Sequence, residues 1–244
     1  EGKLFDARKN PLVYPHLKLY ELEVVLKGKT LILPTGEIVG IKIIGQGAFA
    51  AVYQGSDKWV YSFLKPDTPD PAKALVMDLR DSASDKKWRK HLPKLAFVGY
   101  CSAEGQRSNA GFVYGKNKYY DVYRSPYYYS LLDQEAIPNE NYNALQIKQL
   151  RCLLKETYST FNDRTARDKY TDRSFLLSFM DIVSADKTLA PDIRRAVLEL
   201  CRLAAQHVGD WRFEFPTRNL AVNKNGTLIL LDVVFEMELL EKTY

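Results

Sequence analysis

Cysteine and histidine are scarce in this chain. Its three cysteines, Cys101, Cys152 and Cys201, stand far apart in unlike contexts, which argues against a disulfide framework and against a Cys-x-x-Cys metal site. A reducing compartment, the cytoplasm, is therefore the expected setting. His16, His91 and His207 show no metal-ligand spacing, so each is expected to be structural. No run approaches the roughly 18 consecutive apolar residues of a membrane span, so neither a transmembrane helix nor a membrane partner is expected. The opening EGKLFDARKN has no basic-then-apolar signal peptide and no initiator Met, which leaves room for processing or trimming. Internal repeats and low-complexity linkers are missing as well.

What is present is the material of a globular core. The chain has 244 residues, 46% of them hydrophobic, enough for one large domain or two lobes. A net charge of +5 favours anionic partners such as nucleotides, acidic proteins or nucleic acid. It names none of them, because the 35 Lys and Arg are scattered among 30 Asp and Glu.

The first half reads as strands. From Val13 to Pro66, alternating or β-branched runs are broken at Lys27-Gly28, Thr35-Gly36, Gly45, Gly47 and Gly55-Ser56. Three prolines, Pro66, Pro69 and Pro71, lead into a predicted helix over AKALVMDLRDSASDKKWRKHL. Strand-like KLAFVGY, AGFVYG and KYYDVY follow. From Asn143 the pattern becomes helical, with Leu145, Leu150, Leu153, Leu154 and Phe161 expected on one broad face. A second helix is predicted across DRSFLLSFMDIV. A third starts at Pro191, a favoured first-turn residue, and carries Ile193, Val197, Leu200, Leu203 and Ala204. The change from β to α character falls between about Pro126 and Asn141.

Two local patterns could carry chemistry. GQGAFAAVYQG, residues 45–55, puts Gly45 and Gly47 in a strand-turn-strand setting, where the backbone can come close to a phosphate and Val52 could pack on a base. It could equally be a simple tight turn. Lys65, at the end of the next apolar strand, could reach those phosphates or merely be solvated. Near the end, NLAVNKNGTLILLD places Asn219 and Asp232 at the ends of two apolar runs joined by Asn225-Gly226, the strongest short hairpin signal. The two polar residues therefore suit two ligands of one metal ion, and they also suit ordinary strand ends. The aromatic run KYYDVYRSPYYYSLL could stack on single-stranded nucleic acid, but strand-forming Tyr accounts for it better.

In combination these residues resemble a protein kinase. GxGxxGxV is matched by Gly45, Gly47, Ala50 and Val52, with alanine in place of the third glycine. Lys65 resembles the nucleotide-binding lysine. Asn219 resembles the metal-binding asparagine of the catalytic loop, and Asp232, thirteen residues on, the aspartate that opens the DFG segment. The resemblance implies an α+β, two-lobed protein-kinase-like fold. Residues 1–128 would form an antiparallel-sheet N-lobe with an extension at 1–39, and residues 129–244 a small, truncated, mostly helical C-lobe. The hinge would run from Arg124 to Tyr127, beside the adenine. The chain is most similar in plan to the short Ser/Thr protein kinases encoded by bacteriophages and to related bacterial proteins.

The departures are specific. Glu214 stands where the family has its catalytic aspartate, five residues before Asn219, and Asp210 is a neighbouring alternative with a poorer spacing. The DFG position reads Asp232-Val233-Val234. No glutamate between residues 66 and 90 can partner Lys65, which leaves Asp78 or Asp81. The resemblance implies binding of ATP and Mg²⁺, with Gly45, Gly47, Ala50, Val52, Lys65 and Arg124 around the nucleotide and Asn219 and Asp232 on the metal. Glu214 and Lys65 would be catalytic, and a Ser or Thr hydroxyl of a protein substrate would receive the phosphoryl group. The alternatives are a pseudokinase that acts by holding a protein partner, and a small-molecule kinase.

Overall fold

The computed structural model describes residues 23–47, 50–64, 73, 76, 77, 79, 80, 86–102, 119–131, 138–161, 174–207 and 209–237. Lys65, Asp78, Asp81 and the AGFVYG run lie outside them.

Seven strands form the first architectural unit: β1 (Glu23–Lys27), β2 (Thr30–Ile32), β3 (Ile38–Gln46), β4 (Ala50–Gly55), β5 (Trp59–Leu64), β6 (Ala96–Ser102) and β7 (Tyr119–Pro126). Period-two alternation gives each strand one apolar face, and these faces point inward. Val24, Leu31, Val39, Ile41, Tyr61, Phe63, Cys101 and Val122 make one buried cluster. Each aliphatic member contributes about 1.5–3 kcal/mol by leaving water. The turn glycines sit where the sequence marks them, Gly28 at φ 58° and Gly36 at φ 83°.

The strand order β1-β2-β3-β4-β5-β7-β6 closes on itself, because β1 lies parallel to β6 with Glu23 opposite Tyr100 and Val24 opposite Cys101. This corrects the expected two-lobed kinase-like fold with an open antiparallel N-lobe. The sheet is a closed barrel of mixed direction. The physical reason lies in a stretch that carries no motif. Val24–Ile32 adds two strands beyond β3, and the first of them reaches round to the far edge, so neither edge is left unpaired.

The remaining elements make a helical unit. Lys86–Arg89 forms the short α1, and residues 73, 76, 77, 79 and 80 before it are helical. The long helices are α2 (Glu140–Phe161), α3 (Ser174–Ala185) and α4 (Pro191–Ala204). Their core takes Leu150, Leu153, Phe179, Val197 and Leu200, together with Val76, Leu79, Trp88 and Leu92 from before β6. On α4 four of the five predicted positions, Ile193, Val197, Leu200 and Ala204, are buried, and Leu203 is half-buried. On α2 the predicted face is rotated. Leu145 is 64% exposed, whereas Asn143, Gln146, Ile147, Leu150, Leu153 and Thr157 are buried. Buried polar groups on this face have work to do: Gln146 Oε1 accepts the Ala190 N–H ahead of α4, at 2.7 Å. No described helix is long and apolar enough to cross a membrane.

Five short strands complete the unit: β8 (Tyr129–Ser130), β9 (Trp211–Phe213), β10 (Leu220–Val222), β11 (Leu228–Leu230) and β12 (Val234–Glu236). β10 pairs with both β11 and β8, and β12 pairs with β9.

Candidate functional site

The two small sheets converge on one junction. β10 and β11 form the hairpin that Asn225-Gly226 predicts, with Leu220 opposite Leu230. Asn219 immediately precedes β10, and Asp232 follows β11 by two residues. β9 and β12 pair with Phe213 opposite Val234, so Glu214, just after β9, lies beside the chain that carries Asp232. The Glu214 N–H donates to the Val233 carbonyl at 2.9 Å. Strand pairing thus brings three residues from separate positions in the sequence to the ends of one hairpin and of the β9–β12 pair.

Asn219 is the hub. Its backbone carbonyl accepts N–H bonds from Leu231 at 3.0 Å and Asp232 at 3.3 Å. Its side-chain Nδ2 donates to Glu214 Oε1 at 2.7 Å. A carboxylate oxygen accepts, so the amide atom facing it must be the nitrogen, and that fixes which way the amide is turned. Asn219 is only 7% exposed, and a buried amide requires such partners. The loop between Glu214 and Asn219 is a single 3₁₀ turn, Thr217–Asn219, closed by the Asn219 N–H on the Pro216 carbonyl. Arg151 on α2 braces it, donating from Nε to the Phe215 carbonyl at 2.8 Å and from Nη2 to Thr217 Oγ1 at 3.3 Å.

Glu214 carries a second, looser contact, Arg218 Nη2 at 3.6 Å from the same Oε1. Both side chains are substantially exposed, so this pair adds little stability. Asp210, the alternative base, is committed elsewhere. Its two oxygens take a bidentate pair from Arg212 Nε and Nη2, each at 2.8 Å, and the Arg212 guanidinium lies over the Phe175 ring. The Arg212 pKa is raised, first by its hydrogen bond to Asp210. Burial likewise raises the nearby Tyr158 hydroxyl, against the opposing pull of Arg212.

Of the predicted nucleotide residues, Gly45, Ala50, Val52 and Arg124 lie on barrel strands and Gly47 directly follows one. Gly45 lies opposite Val52 across a register shift in the β3–β4 pair, and the Gly47 N–H bonds the Ala50 carbonyl at 2.8 Å. Ala50 is buried with Leu64 and Tyr123. Arg124, on β7, sits opposite Tyr61 with its guanidinium 4.9 Å from the centre of the Trp59 ring. Hydrogen bonds join both Glu214 and Asp232 to Asn219.

Two contributors escaped the sequence reading. Arg218 is four residues after Glu214 in a loop, where spacing carries no signal. Arg151 does stand on a helix whose Lys and Arg recur at positions 148, 151 and 155, a pattern that marks one face. No family model, no curated protein and no solved structure matches this chain.

Proposed function

We propose that this protein is an ATP-dependent phosphotransferase that moves the terminal phosphoryl group of Mg-ATP to a protein Ser or Thr hydroxyl. The observation that carries the reading is the junction at Asn219, where one buried asparagine binds a carboxylate through its side-chain amide and an aspartate-bearing strand end through its backbone carbonyl. Phosphoryl transfer asks little covalent chemistry of a protein. It asks for oxygen ligands on a metal, a carboxylate near the attacking hydroxyl and close cover for phosphates.

The residues fit Mg²⁺. With Nδ2 given to Glu214, the donor atom left on the Asn219 side chain is the hard oxygen Oδ1, and Asp232 is exposed and brings a carboxylate. One or two such ligands suffice, since Mg²⁺ keeps waters and phosphate oxygens in its remaining positions. When bound, it supplies neutralisation of charge on the phosphate oxygens. The described contacts of Glu214 fall on Oε1, so Oε2 is the atom that takes the hydroxyl proton.

The glycine turn supports the reading from the barrel side. Neither Gly45 nor Gly47 has positive φ. Among the described residues, a methyl added at either would meet only ordinary contacts, 3.9 Å from Val52 Cβ and 4.0 Å from the Ala50 carbonyl oxygen. The hairpin itself does not require glycine there, whereas a phosphate approaching the backbone does. Lys65 would orient the phosphates on this reading. None of the three cysteines forms a disulfide, which supports a reducing, ATP-containing compartment such as the cytoplasm.

The Arg218–Glu214 contact favours a second reading. A carboxylate held by both Asn219 and Arg218 suits a nucleotide-binding protein that acts through a protein partner and transfers nothing. One experiment separates them. The pure chain is incubated with γ-labelled ATP, Mg²⁺ and a cell lysate, beside Asp232→Ala. Label appears on a protein acceptor with the parent chain and is lost with Asp232→Ala. Transfer that survives the substitution sinks the assignment, and nucleotide binding without transfer by the parent chain selects the partner-binding reading.

A further inference from the structure

Beside the Arg151 brace lies a cleft of about 460 Å³, walled by one face of α2 and by the loop that leads to Asn219. That volume is within the range of ligand sites. Its lining combines three cations, Lys148, Arg151 and Lys155, with the apolar side chains of Leu131, Ala144 and Ile147. Among the described residues no carboxylate pairs with any of the three cations, and Lys148 and Lys155 are exposed. Thr217, which also lines the cleft, opens the 3₁₀ turn that ends at Asn219.

We propose that this cleft binds an acidic peptide segment, and, resting on the phosphotransferase reading, that the segment belongs to the hydroxyl acceptor. Lys148 and Lys155 are seven residues apart on a helix, about 10 Å along its axis, the span of about three residues of extended chain. Between them the Arg151 guanidinium is held in place by the Phe215 carbonyl and Thr217. Two carboxylates flanking an apolar side chain match both the cations and the apolar part of the lining. A bare phosphate would use the cations and leave Leu131, Ala144 and Ile147 without a partner. Because Thr217 lines the cleft and stands two residues before Asn219, a peptide seated there delivers its neighbouring residues toward the Asn219 junction.

The test needs no ATP in its first arm. A fluorescein-labelled peptide alternating Glu and Leu is titrated by anisotropy against the full chain and against Lys148→Glu/Lys155→Glu, whose side chains are exposed and whose fold should persist. The parent chain binds, the affinity falls with added salt, and the double variant loses about tenfold or more. Cys152 lines the same cleft and is exposed, whereas Cys101 and Cys201 are buried. Bound peptide therefore slows alkylation of Cys152 in the parent chain and not in the double variant. Equal affinity in both chains, equal binding of a Lys-for-Glu peptide, or displacement by inorganic phosphate or a single-stranded oligonucleotide at lower concentration than unlabelled peptide overturns the proposal. A second arm adds Mg-ATP and a Ser-containing version of the peptide. Transfer with the same KM in the double variant removes the cleft from substrate binding but keeps the phosphotransferase. Peptide binding with no transfer by the parent chain does the reverse.

Discussion

The β3–β4 and β10–β11 hairpins use glycine in opposite ways. At β10–β11 the turn is closed from every side. Asn223 Oδ1 accepts the Asn225 and Thr227 N–H groups at 2.9 and 3.0 Å, and Asn143 Nδ2 reaches over from α2 to the Gly226 carbonyl at 2.8 Å. Gly226 adopts φ 72°, and a methyl on it would run into the Pro138 carbonyl. All six strand residues are buried. At β3–β4, Ile43 and Ile44 are exposed, the described turn bond is Gly47 to Ala50, and Gly45 needs neither positive φ nor close packing. The first hairpin holds Asn219 and Asp232 fixed from behind. The β3–β4 hairpin instead leaves its Ile43–Ile44 stretch open to solvent.

The largest expected effect breaks the closed hairpin. Gly226→Val sets a β-branched residue at positive φ and drives it into Pro138, so a loss of about 3 kcal/mol in folding stability is expected. A urea titration followed by Trp fluorescence reads it as a large drop in the midpoint. A midpoint like that of the parent chain would mean that the turn is not clamped against Pro138 at all.

This hairpin was legible in the sequence because everything that makes it is local. Asn-Gly selects the turn, and apolar runs on either side supply the strands. Glu214, Asn219 and Asp232 were singled out together through the resemblance to a protein kinase, and the structure brings Glu214 and Asp232 to Asn219. Barrel closure was not, because β1 finds β6 across residues 23–24 and 100–101, and no short pattern encodes a parallel pairing at that separation. Leu145 misled because a leucine count ignores what the buried polar residues do. Asn143 and Gln146 occupy the inward face of α2 since they bond the Gly226 carbonyl and the Ala190 N–H. The bidentate Asp210–Arg212 pair could have been suspected from their separation of two at the start of a strand, where alternate residues share a face.

A smaller effect tests how β11 is held from its other side. The His91 carbonyl accepts the Leu230 N–H at 2.8 Å, and His91 Nδ1 lies 2.7 Å from the Leu228 carbonyl. His91 Nε2 in turn lies 3.2 Å from Asp192 Oδ2, which Lys90 Nζ also approaches at 2.7 Å. Burial alone would raise the Asp192 carboxyl, but its contacts with Lys90 first and then His91 outweigh it and pull the pKa from 3.8 to about 2. The folded-state pKa is depressed, so this stability is present above pH 3.8 and is lost as pH falls toward and through about 2. Urea midpoints should therefore fall between about pH 4 and pH 2 in the parent chain, and fall less steeply in Asp192→Asn. Equal slopes would show that the Asp192–His91 contact does not support the hairpin.

The smallest effect on stability is expected at the open hairpin, and it sharpens the contrast most. Gly45→Ala adds a methyl 3.9 Å from Val52 Cβ at a residue without positive φ, so stability should stay within about 0.5 kcal/mol of the parent chain. Glycine inside a strand is if anything a liability, and alanine relieves part of its entropy cost on folding. If the turn lies over phosphates, the same methyl stands between backbone and ligand, and Mg-ATP affinity should weaken several-fold while the urea midpoint holds. An unchanged affinity would detach the β3–β4 turn from nucleotide binding and leave Gly45 as an ordinary strand residue. The pairing of an inert effect on folding with a measurable effect on binding is what separates an open hairpin kept for a ligand from one that is merely exposed.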